Sequence, residues 1–379
     1  MEFRDLKKQY KVLKGEIDKE INDVIASAHF ISGSKVLDLE EILSEYVGVK
    51  YCITCANGTD ALTLALMAWG VGKGDAVFVP DFTFFSSGES PASLGATPVF
   101  VDVDEITFNL DAEKLENAIN KVLLEGKYTP KVVVAVDLFG QPANYLLIRE
   151  ICKKYKLLLL EDGAQGFGGL LNGERACSFG DISTTSFFPA KPLGCYGDGG
   201  AVFTNNDEWA SLIRSFAIHG KSDISKYDNV RLGMNSRLDT IQAAILLAKF
   251  RAFVKNEIND INKIAIKYTE KLKDIVECPT VPSRVVSSWA QYTIKLKDKI
   301  ERNNLRVFLK NMDIPSNIYY IKPMHEQKAF FGIKQYIDNS TTSRLCDTVL
   351  SLPLHPYMSK QDICMVTNAV EEYILKKRI

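Results

Sequence analysis

The stretch Thr184-Thr-Ser-Phe-Phe-Pro-Ala-Lys-Pro-Leu-Gly194 sets one lysine, Lys191, among small, aromatic and proline residues. Most lysines lie on the surface, because burying an ammonium group costs several kcal/mol unless the group is paired or neutralised. A lysine in this setting therefore indicates a function. One suitable function is a Schiff base, in which the lysine nitrogen becomes part of a cofactor imine. The following residues, Cys195-Tyr-Gly-Asp-Gly-Gly-Ala-Val-Phe-Thr204, predict a glycine turn that enters a strand.

Upstream, Leu157-Leu-Leu-Leu-Glu-Asp-Gly-Ala-Gln165 predicts a buried strand that ends in acidic residues. A carboxylate at this position could keep a pyridinium nitrogen protonated, which makes the ring an electron sink. An acid at a strand end, followed one strand later by a lysine, is what pyridoxal phosphate chemistry requires. The alternative is that Glu161 and Asp162 only serve the turn, because acids often follow strands for reasons of turn chemistry.

Outward from these two stretches, short strands and helices alternate between about residues 50 and 205. Strands are predicted at 51–55, 76–80, 98–102, 131–136 and 157–160, with helices at 59–69, 86–94, 112–124 and 145–155. Residues 1–47 show apolar positions at helical spacing. The alternation is typical of an α/β fold, a parallel sheet with helices on both faces.

The pattern changes after about residue 255. A long helical stretch follows Arg237 and continues beyond Asn256, and Gln291-Tyr-Thr-Ile-Lys-Leu296 predicts an antiparallel strand. We therefore predict a large domain over residues 1–250, with a mostly parallel sheet and an N-terminal helical segment. A smaller α+β domain over residues 251–379 should follow it.

Composition limits the classes of function. The chain has 379 residues, and its net charge of −1 provides no strong field for nucleic acid or an anionic membrane. The N-terminus is charged, without an apolar signal core, and aliphatic runs such as the four leucines at 157–160 are too short to span a bilayer. The eight cysteines do not resemble a disulfide framework. We expect a cytoplasmic protein with no nucleic-acid or membrane partner.

No metal site is expected. Cys52 and Cys55 have the spacing of a redox or metal pair, but no second pair lies nearby to complete a zinc site. Alternation along a strand would also place them on opposite faces. The histidines are scattered, and none is predicted to be the catalytic base; they are His29, His219, His325 and His355.

The segment Cys55-Ala-Asn-Gly-Thr-Asp-Ala-Leu62 joins a predicted strand to a helix. Gly58 permits a tight turn, and the free N–H groups of Thr59 and Asp60 at the helix start could bind a phosphate. The alternative is a simple capped helix. Arg237 is either an ordinary helix residue or a phosphate clamp, and the residues alone leave that choice open.

Five motifs now occur in one order, and together they resemble the DegT/DnrJ/EryC1/StrS family of nucleotide-sugar aminotransferases. They are Asn57-Gly-Thr-Asp-Ala-Leu62, Glu161-Asp-Gly-Ala-Gln165, Ser186-Phe-Phe-Pro-Ala-Lys-Pro-Leu-Gly194, Gly197-Asp-Gly-Gly200 and Asn235-Ser-Arg-Leu-Asp239. The similarity extends from Phe3-Arg-Asp-Leu6 to Ser351-Leu-Pro-Leu-His-Pro356. It implies fold type I of the pyridoxal phosphate enzymes, the aspartate-aminotransferase-like fold, and a homodimer with shared active sites.

The resemblance also implies roles for individual residues. The residues implied for catalysis are Lys191, which forms the Schiff base, and Asp162, which partners the pyridine nitrogen; both also bind the cofactor, as does Gln165 near its phenolic oxygen. The residues implied for binding the cofactor are Gly58, Thr59, Asp60 and Ser186 at the phosphate, Asn235 from the neighbouring subunit, and Phe84 stacked on the ring. The residues implied near the nucleotide sugar are Arg237, Tyr320, His325 and Gln327.

Three positions refine the resemblance. Gly163 stands where the family usually has alanine, a change that should leave the site intact. Tyr319 stands where a histidine often precedes the residue that matches Tyr320, which could alter sugar recognition. Lys191 argues against the members that dehydrate their substrate, because those members carry histidine at this position.

We therefore predict transamination of a 3-keto UDP-2-acetamido sugar with L-glutamate as donor, for bacterial surface glycan or lipid A synthesis. Alternatives within the family are a 3-keto uronate or a dTDP-3-keto-6-deoxyhexose as substrate, or amination of a 4-keto sugar at C4. A pyridoxal-binding regulator lacks support because no basic recognition helix is visible. A dinucleotide binder lacks support because Asn57-Gly-Thr-Asp60 is not a G-x-G-x-x-G fingerprint.

Overall fold

The computed structural model describes residues 1–222 and 228–376. Its strands are β1 (Tyr51–Cys55), β2 (Asp75–Pro80), β3 (Thr97–Val101), β4 (Thr129–Val136), β5 (Leu158–Asp162), β6 (Leu170–Leu171), β7 (Glu174–Arg175), β8 (Ile182–Ser186), β9 (Gly200–Thr204), β10 (Val285–Val286), β11 (Tyr292–Lys295) and β12 (Val349–Leu352). Its helices are α1 (Leu6–Ser27), α2 (Ser34–Val47), α3 (Gly58–Ala68), α4 (Ser86–Ser93), α5 (Ala112–Glu125), α6 (Tyr145–Tyr155), α7 (Asp207–Ala217), α8 (Thr240–Ala252), α9 (Ile258–Leu272), α10 (Lys299–Asn311), α11 (Ser340–Thr348) and α12 (Lys360–Lys376).

A central sheet of seven strands has the spatial order β1-β9-β8-β5-β4-β2-β3. The neighbours from β8 to β3 pair in parallel, whereas β9 is antiparallel to both β1 and β8. This arrangement confirms the predicted α/β fold with a mostly parallel mixed sheet. Because β9 alone runs the other way in this sheet, its other strands all end at one edge.

Alternate residues of each strand enter different cores. On β2, Val77 and Val79 pack with α3 and α7, whereas Phe78 packs with α5 and α6 on the opposite face. Strands that are covered on both faces are expected to be almost continuously apolar, as the sequences of β4 and β5 are. The two predicted features, alternating elements and helices on both faces, are therefore confirmed.

The N-terminal helices cover the β1–β9 end of the sheet. Leu39 of α2 and Leu246 of α8 share a core with Phe203 of β9, and Ile17 of α1 packs against Ile245 of α8. Cys52 belongs to this core, but Cys55 belongs to the core on the other face. The predicted helical N-terminus and the opposite orientation of the two cysteines are both confirmed.

A second core lies in the C-terminal part of the chain. It joins α9, α10 and α12 to the antiparallel pair β11–β12, and the predicted antiparallel strand at 291–296 is confirmed as β11. A π-helical segment, Phe253–Glu257, connects α8 to α9. The division at residue 250 stays a prediction, and residues 377–379 of the predicted second domain lie outside the described residues.

Between residues 1 and 222 and between 228 and 376, no helix combines the length and the apolar character needed to cross a bilayer.

Candidate active site

The predicted site residues converge on the edge where the parallel strands end. Asp162 is the last residue of β5, and Ser186 is the last residue of the neighbouring β8. The turn that starts α3 follows the end of β1, and Asp81 follows the end of β2. Ligands of open α/β sheets bind at this edge, because the strand ends leave a crevice there.

Asp162 is a buried carboxylate with few partners of its own. Its Oδ2 accepts a hydrogen bond from the Ser87 hydroxyl at 2.8 Å, and its Oδ1 accepts one from the Ala164 N–H at 3.2 Å. Burial raises the pKa of Asp162, while the Ser87 hydroxyl and then the charge of Lys191 oppose the rise. The carboxylate is therefore fixed in position and faces the lysine.

Lys191 lies in the loop between β8 and β9, where its N–H donates to the Phe188 carbonyl at 2.8 Å. Burial lowers the pKa of the Lys191 amine, and the charge of Asp162 raises it again. Only the neutral amine is a nucleophile, so a lowered pKa suits imine chemistry. The charges of Lys191 and of the acid at the end of β5 therefore act on each other, and their shared role in catalysis stays a prediction.

Gln165 connects the strand edge to the C-terminal part of the chain. Its Oε1 accepts from the Phe139 N–H at 2.8 Å, and its Nε2 donates to the Tyr320 hydroxyl at 3.2 Å. The Phe84 ring lies 6.5 Å from the Tyr320 ring and is 54% exposed. An exposed aromatic ring at the rim of a polar site leaves room for a planar ligand against it.

The turn before α3 provides donors suited to an anion. Asn57 caps the helix, since its side chain accepts from the Asp60 N–H at 2.8 Å. The Thr59 and Ser86 hydroxyls share a hydrogen bond of 2.7 Å. Both interpretations of this turn, a capped helix and a phosphate site, therefore have support. The Asp60 N–H is bonded to the cap, whereas the helix start remains electropositive.

Gly58 and Ser186 approach each other too closely for any larger residue. A Cβ added at Gly58 would lie 2.7 Å from the Ser186 Cβ. The contact brings the Ser186 hydroxyl beside the first turn of α3, so that three hydroxyl groups surround one helix N-terminus. This donor set, next to the pair of Lys191 and Asp162, fits a phosphate-bearing pyridine cofactor.

Asn235 and Arg237 lie near this turn but on the surface. Asn235 is exposed, and its amide oxygen accepts from the Arg237 guanidinium at 2.5 Å. The intervening Ser236 accepts a hydrogen bond from the Ala56 N–H at 3.0 Å, which places this segment beside the start of α3. Within the described part of the single chain, Asn235 makes no hydrogen bond with Lys191 or Asp162.

The C-terminal loop carries the remaining predicted residues. Asp81 binds His325 twice, through the His325 N–H at 2.8 Å and through Nδ1 at 2.6 Å. The Asp81 carboxylate raises the pKa of His325. Gln327 is half-buried two residues further on, where its N–H donates to the Met324 carbonyl at 3.0 Å.

Two residues escaped the sequence reasoning. Ser87 holds the carboxylate of Asp162, and Asp81 holds His325. Asp81 follows a buried strand in the way that Asp162 does, so the argument applied to β5 could have found it on β2. Ser87 carries no such signal, because a serine near a helix start is usually a cap.

Gly163 also has a structural explanation. A Cβ added there would lie 2.7 Å from the Cys177 Sγ and 3.0 Å from the Thr184 carbonyl oxygen. The cysteine fills the space that an alanine methyl group would need, which accounts for the change from the family pattern.

A lysine whose pKa is lowered by burial, a buried carboxylate that acts on it and a helix start with hydroxyl groups are what a pyridoxal phosphate enzyme would need. The sequence matches the DegT/DnrJ/EryC1/StrS aminotransferase family over residues 11–371. The chain therefore belongs to the DegT/DnrJ/EryC1/StrS aminotransferase family, and it is a pyridoxal phosphate-dependent aminotransferase. The predicted family, cofactor and enzyme class are confirmed.

Three relatives cover almost the whole chain. A UDP-2-acetamido-2-deoxy-3-oxo-D-glucuronate aminotransferase of Pseudomonas aeruginosa is 42% identical over 98% of this chain and 99% of its own. A UDP-N-acetyl-3-dehydro-alpha-D-glucosamine 3-aminotransferase of Acidithiobacillus ferrooxidans is 36% identical, with 97% and 96% covered. A dTDP-3-amino-3,6-dideoxy-alpha-D-galactopyranose transaminase of Aneurinibacillus thermoaerophilus is also 36% identical, with 98% and 99% covered.

Solved structures agree on the fold. A DegT DnrJ EryC1 StrS aminotransferase from Brucella abortus superposes with a TM-score of 0.96 at 44% identity, covering 99% of both chains. The ntda protein from Bacillus subtilis, solved with bound cofactor pmp, superposes with a TM-score of 0.85 at 27% identity, covering 96% of this chain and 82% of that chain. The predicted fold class is confirmed.

Proposed function

We propose that this aminotransferase transfers the amino group of L-glutamate to C3 of a 3-keto UDP-2-acetamido sugar. The similarity to two relatives whose names specify UDP-linked 2-acetamido sugars with a 3-oxo group supports this choice. The relative named for a dTDP-linked 3-amino sugar supports amination at C3 but a different nucleotide. We further propose a cytoplasmic enzyme that serves bacterial surface glycan or lipid A synthesis.

The observation that carries the proposal is the electrostatic interaction between Lys191, in the loop after β8, and Asp162, at the end of the neighbouring β5. Bound pyridoxal phosphate would supply an electron sink for the carbon that loses its proton. We assign Lys191 to the covalent attachment of the cofactor and to proton transfer at the substrate carbon. Asp162, held by Ser87, would keep the pyridine nitrogen protonated, because its charge favours the cationic form.

The residues around the start of α3 would hold the cofactor phosphate. Gly58, Thr59 and Ser186 provide the close approach, an N–H group and two hydroxyls, and the helix dipole adds to their attraction. The Asp60 N–H would have to leave the Asn57 cap to join them. Gln165 and Phe84 would lie beside and above the ring, as the connection through Tyr320 suggests.

We assign Asn235 to a phosphate in the neighbouring subunit of a homodimer. Its exposed position is compatible with this role, as is the absence of a hydrogen bond to Lys191 among the described residues of one chain. Mixing Lys191→Ala with Asn235→Ala under proven subunit exchange tests it, provided that each variant is inactive alone. One hybrid site would then carry both natural residues and recover activity. Failure to recover would contradict a shared site.

The sugar would bind between the C-terminal loop and the surface next to α8. Tyr320, His325 and Gln327 belong to the loop that Asp81 anchors, and Arg237 could pair with a diphosphate. Replacing Arg237 by alanine should weaken use of the nucleotide sugar by about 1.5–3 kcal/mol, the value of a charged hydrogen bond. The half-reaction with glutamate should be nearly unchanged.

The deciding experiment is substrate identification. The enzyme loaded with pyridoxal phosphate is incubated with ¹⁵N-labelled glutamate and a panel of 3-keto and 4-keto sugars linked to UDP or dTDP, including a 3-keto uronate. NMR then locates the new C–N bond. We expect nitrogen at C3 of a UDP-2-acetamido sugar. Nitrogen at C4, or exclusive use of a dTDP sugar, would contradict the proposed substrate.

A further inference from the structure

Two cationic side chains lie behind the loop that carries Lys191. The Arg4 guanidinium donates to the Pro192 carbonyl at 3.1 Å. The Lys249 ammonium, from α8, donates to the Gly194 carbonyl, and the Lys249 residue is only 2% exposed. Both contacts fall within three residues after Lys191, so two charged donors from distant parts of the chain donate hydrogen bonds to the same short loop.

On its other side the loop packs into the core through Phe187, Leu193 and Cys195, and the Tyr196 N–H donates to the Gln242 amide oxygen at 2.9 Å. Its own backbone hydrogen bonds include those from the Lys191 N–H to the Phe188 carbonyl and from the Cys195 N–H to the Phe187 carbonyl, both 2.8 Å. Its prolines have no N–H to donate. The loop is also tight, because a Cβ added at Gly194 would lie 2.5 Å from the Phe188 carbonyl oxygen. Arg4 and Lys249 are therefore further attachments of this loop, and they bind the carbonyls that lie within three residues after Lys191.

The two cations need a counter-charge, since an unpaired buried charge is costly. Glu257, 5% exposed, supplies it, and this residue is oriented by the Gln9 amide at 3.0 Å and by the Tyr357 hydroxyl. Glu257 ends the π-helical segment between α8 and α9, a distortion that is frequent at functional sites. Burial lowers the pKa of Arg4, and Glu257 is the first group that opposes the fall.

The charges near Lys191 also favour its reactive, neutral form. Burial lowers the pKa of Lys249 to about 8, with the Arg4 charge as the second cause. The Arg4 charge also lowers the pKa of Lys191, after burial and against the charge of Asp162. A like charge close to an amine favours its neutral, nucleophilic form.

We propose that Arg4 and Lys249 are positioning residues, which hold the carbonyls of Pro192 and Gly194 and thereby fix the Lys191 amine in the active site. The inference rests on the proposed role of Lys191. Neither residue belongs to the five motifs that identify the family, and each lies outside the strand edge that carries the rest of the site.

The first test uses the cofactor-free protein and measures hydrogen–deuterium exchange of residues 188–196. The variants are Arg4→Gln and Lys249→Met, with Arg4→Lys as a charge-conserving variant and Lys11→Gln, an exposed lysine of α1, as the matched control. We expect exchange of the Lys191 and Cys195 amides to become at least about tenfold faster in Arg4→Gln and Lys249→Met. Lys11→Gln should exchange as the natural protein does, and Arg4→Lys should lie between.

The second test is spectroscopic. The visible absorbance of the enzyme loaded with pyridoxal phosphate is followed against pH. Removal of the Arg4 charge should move the midpoint upward by about half a pH unit or more, because a like charge no longer opposes protonation of the Lys191 nitrogen. Arg4→Lys should restore most of the shift. If Arg4→Gln does not fold, Arg4→Lys and Lys249→Met still decide the exchange measurement.

Two results together would overturn the proposal. The first is that residues 188–196 of folded Arg4→Gln and Lys249→Met exchange at the rates of the unsubstituted protein. The second is that the pH midpoint of the absorbance in Arg4→Gln is unchanged. A failure of the proposed function is recognised separately. Reduction with borohydride and peptide mapping should find the cofactor on Lys191, and attachment elsewhere would refute the role of Lys191 while the exchange data would still report on the loop.

Discussion

Glu161 and Asp162 are adjacent acids at the end of one buried strand, yet they have different surroundings. Asp162 faces the Ser87 hydroxyl and Lys191. Glu161 faces the other side of the sheet, where it accepts hydrogen bonds from the Phe179 N–H at 2.7 Å and the Ser183 hydroxyl at 2.8 Å. The pleat of β5 alone separates them, because neighbouring side chains of a strand point to opposite faces.

The comparison separates two uses of a buried carboxylate. Burial raises the pKa of both groups. The carboxylate of Glu161 is then stabilised by fixed donors of the loop that includes Cys177 and Phe179, so its role is to hold that loop. Asp162 has one hydroxyl, one N–H and a nearby amine, which leaves it able to act on a bound group. A buried carboxylate that still has acceptor positions free for a ligand is the one suited to a catalytic role.

The largest effect should come from the residue that Asp162 faces. Lys191→Ala removes the only amine that this comparison assigns to the site, so turnover should fall by roughly ten-thousand-fold or more. Steady-state assays and the visible absorbance of the loaded enzyme measure the loss. Circular dichroism should show the native fold. Turnover at the natural rate would refute the assignment.

Asp162→Asn should have the next largest effect. The amide keeps the shape and can still contact Ser87, but it cannot stabilise a protonated pyridine nitrogen. We expect kcat to fall by about a hundredfold or more, or roughly 2.7 kcal/mol, while the thermal midpoint changes little. Single-turnover kinetics with glutamate measure the step directly. A natural rate would show that another acid serves the ring.

Glu161→Gln is the matched variant one residue away, and it should show the opposite profile. The amide cannot accept all the hydrogen bonds that the carboxylate receives, so buried donors lose their partner. After burial, the Glu161 charge is the second cause that raises the pKa of the neighbouring Asp137 carboxyl, so the substitution should also lower that pKa. We expect a loss of about 2 kcal/mol in the free energy of unfolding, with kcat within a few-fold of natural. A fall in kcat as large as that of Asp162→Asn would contradict the distinction between a structural Glu161 and a catalytic Asp162.

The smallest effect should arise at Asp81, which anchors a loop from the end of β2. Asp81→Asn weakens the two hydrogen bonds to His325, so the KM for the sugar should rise by about three- to tenfold, or roughly 1 kcal/mol. The kcat of the glutamate half-reaction should not change. Separate assays of the two half-reactions provide the measurement, and a loss confined to the glutamate half would contradict this role.

The same variant gives a prediction of pH dependence. Asp81 raises the pKa of His325, so the stabilisation from this pair is fully present below the ordinary histidine pKa and is lost as pH rises through the raised value. NMR titration of His325 should therefore show a midpoint above the usual histidine range, and Asp81→Asn should lower that midpoint. An unchanged midpoint would show that Asp81 does not control the charge of His325.

Much of the fold could be predicted from the sequence because each signal was local. The apolar runs of β2, β4 and β5 and the alternation with helices follow from periodicity, and the structure confirms them. The strand β9 was predicted, but its antiparallel position between β1 and β8 was not, since its pairing with β1 depends on contacts between residues about 150 positions apart. The π-helical segment at Phe253–Glu257 was also hidden, because helical spacing continues through it.

The sequence by itself determined the chemistry that this protein can perform: Lys191, the acids of β5 and the glycine turn before α3 are required by side-chain type and order along the chain. Only the tertiary structure decided which acid faces the lysine, that Ser87 and Asp81 hold the site residues, and that Arg4 and Lys249 grip the lysine loop. The physical reason is that side-chain type sets what a group can do, whereas its direction, its burial and its charged neighbours arise from segments that meet only when the chain is folded.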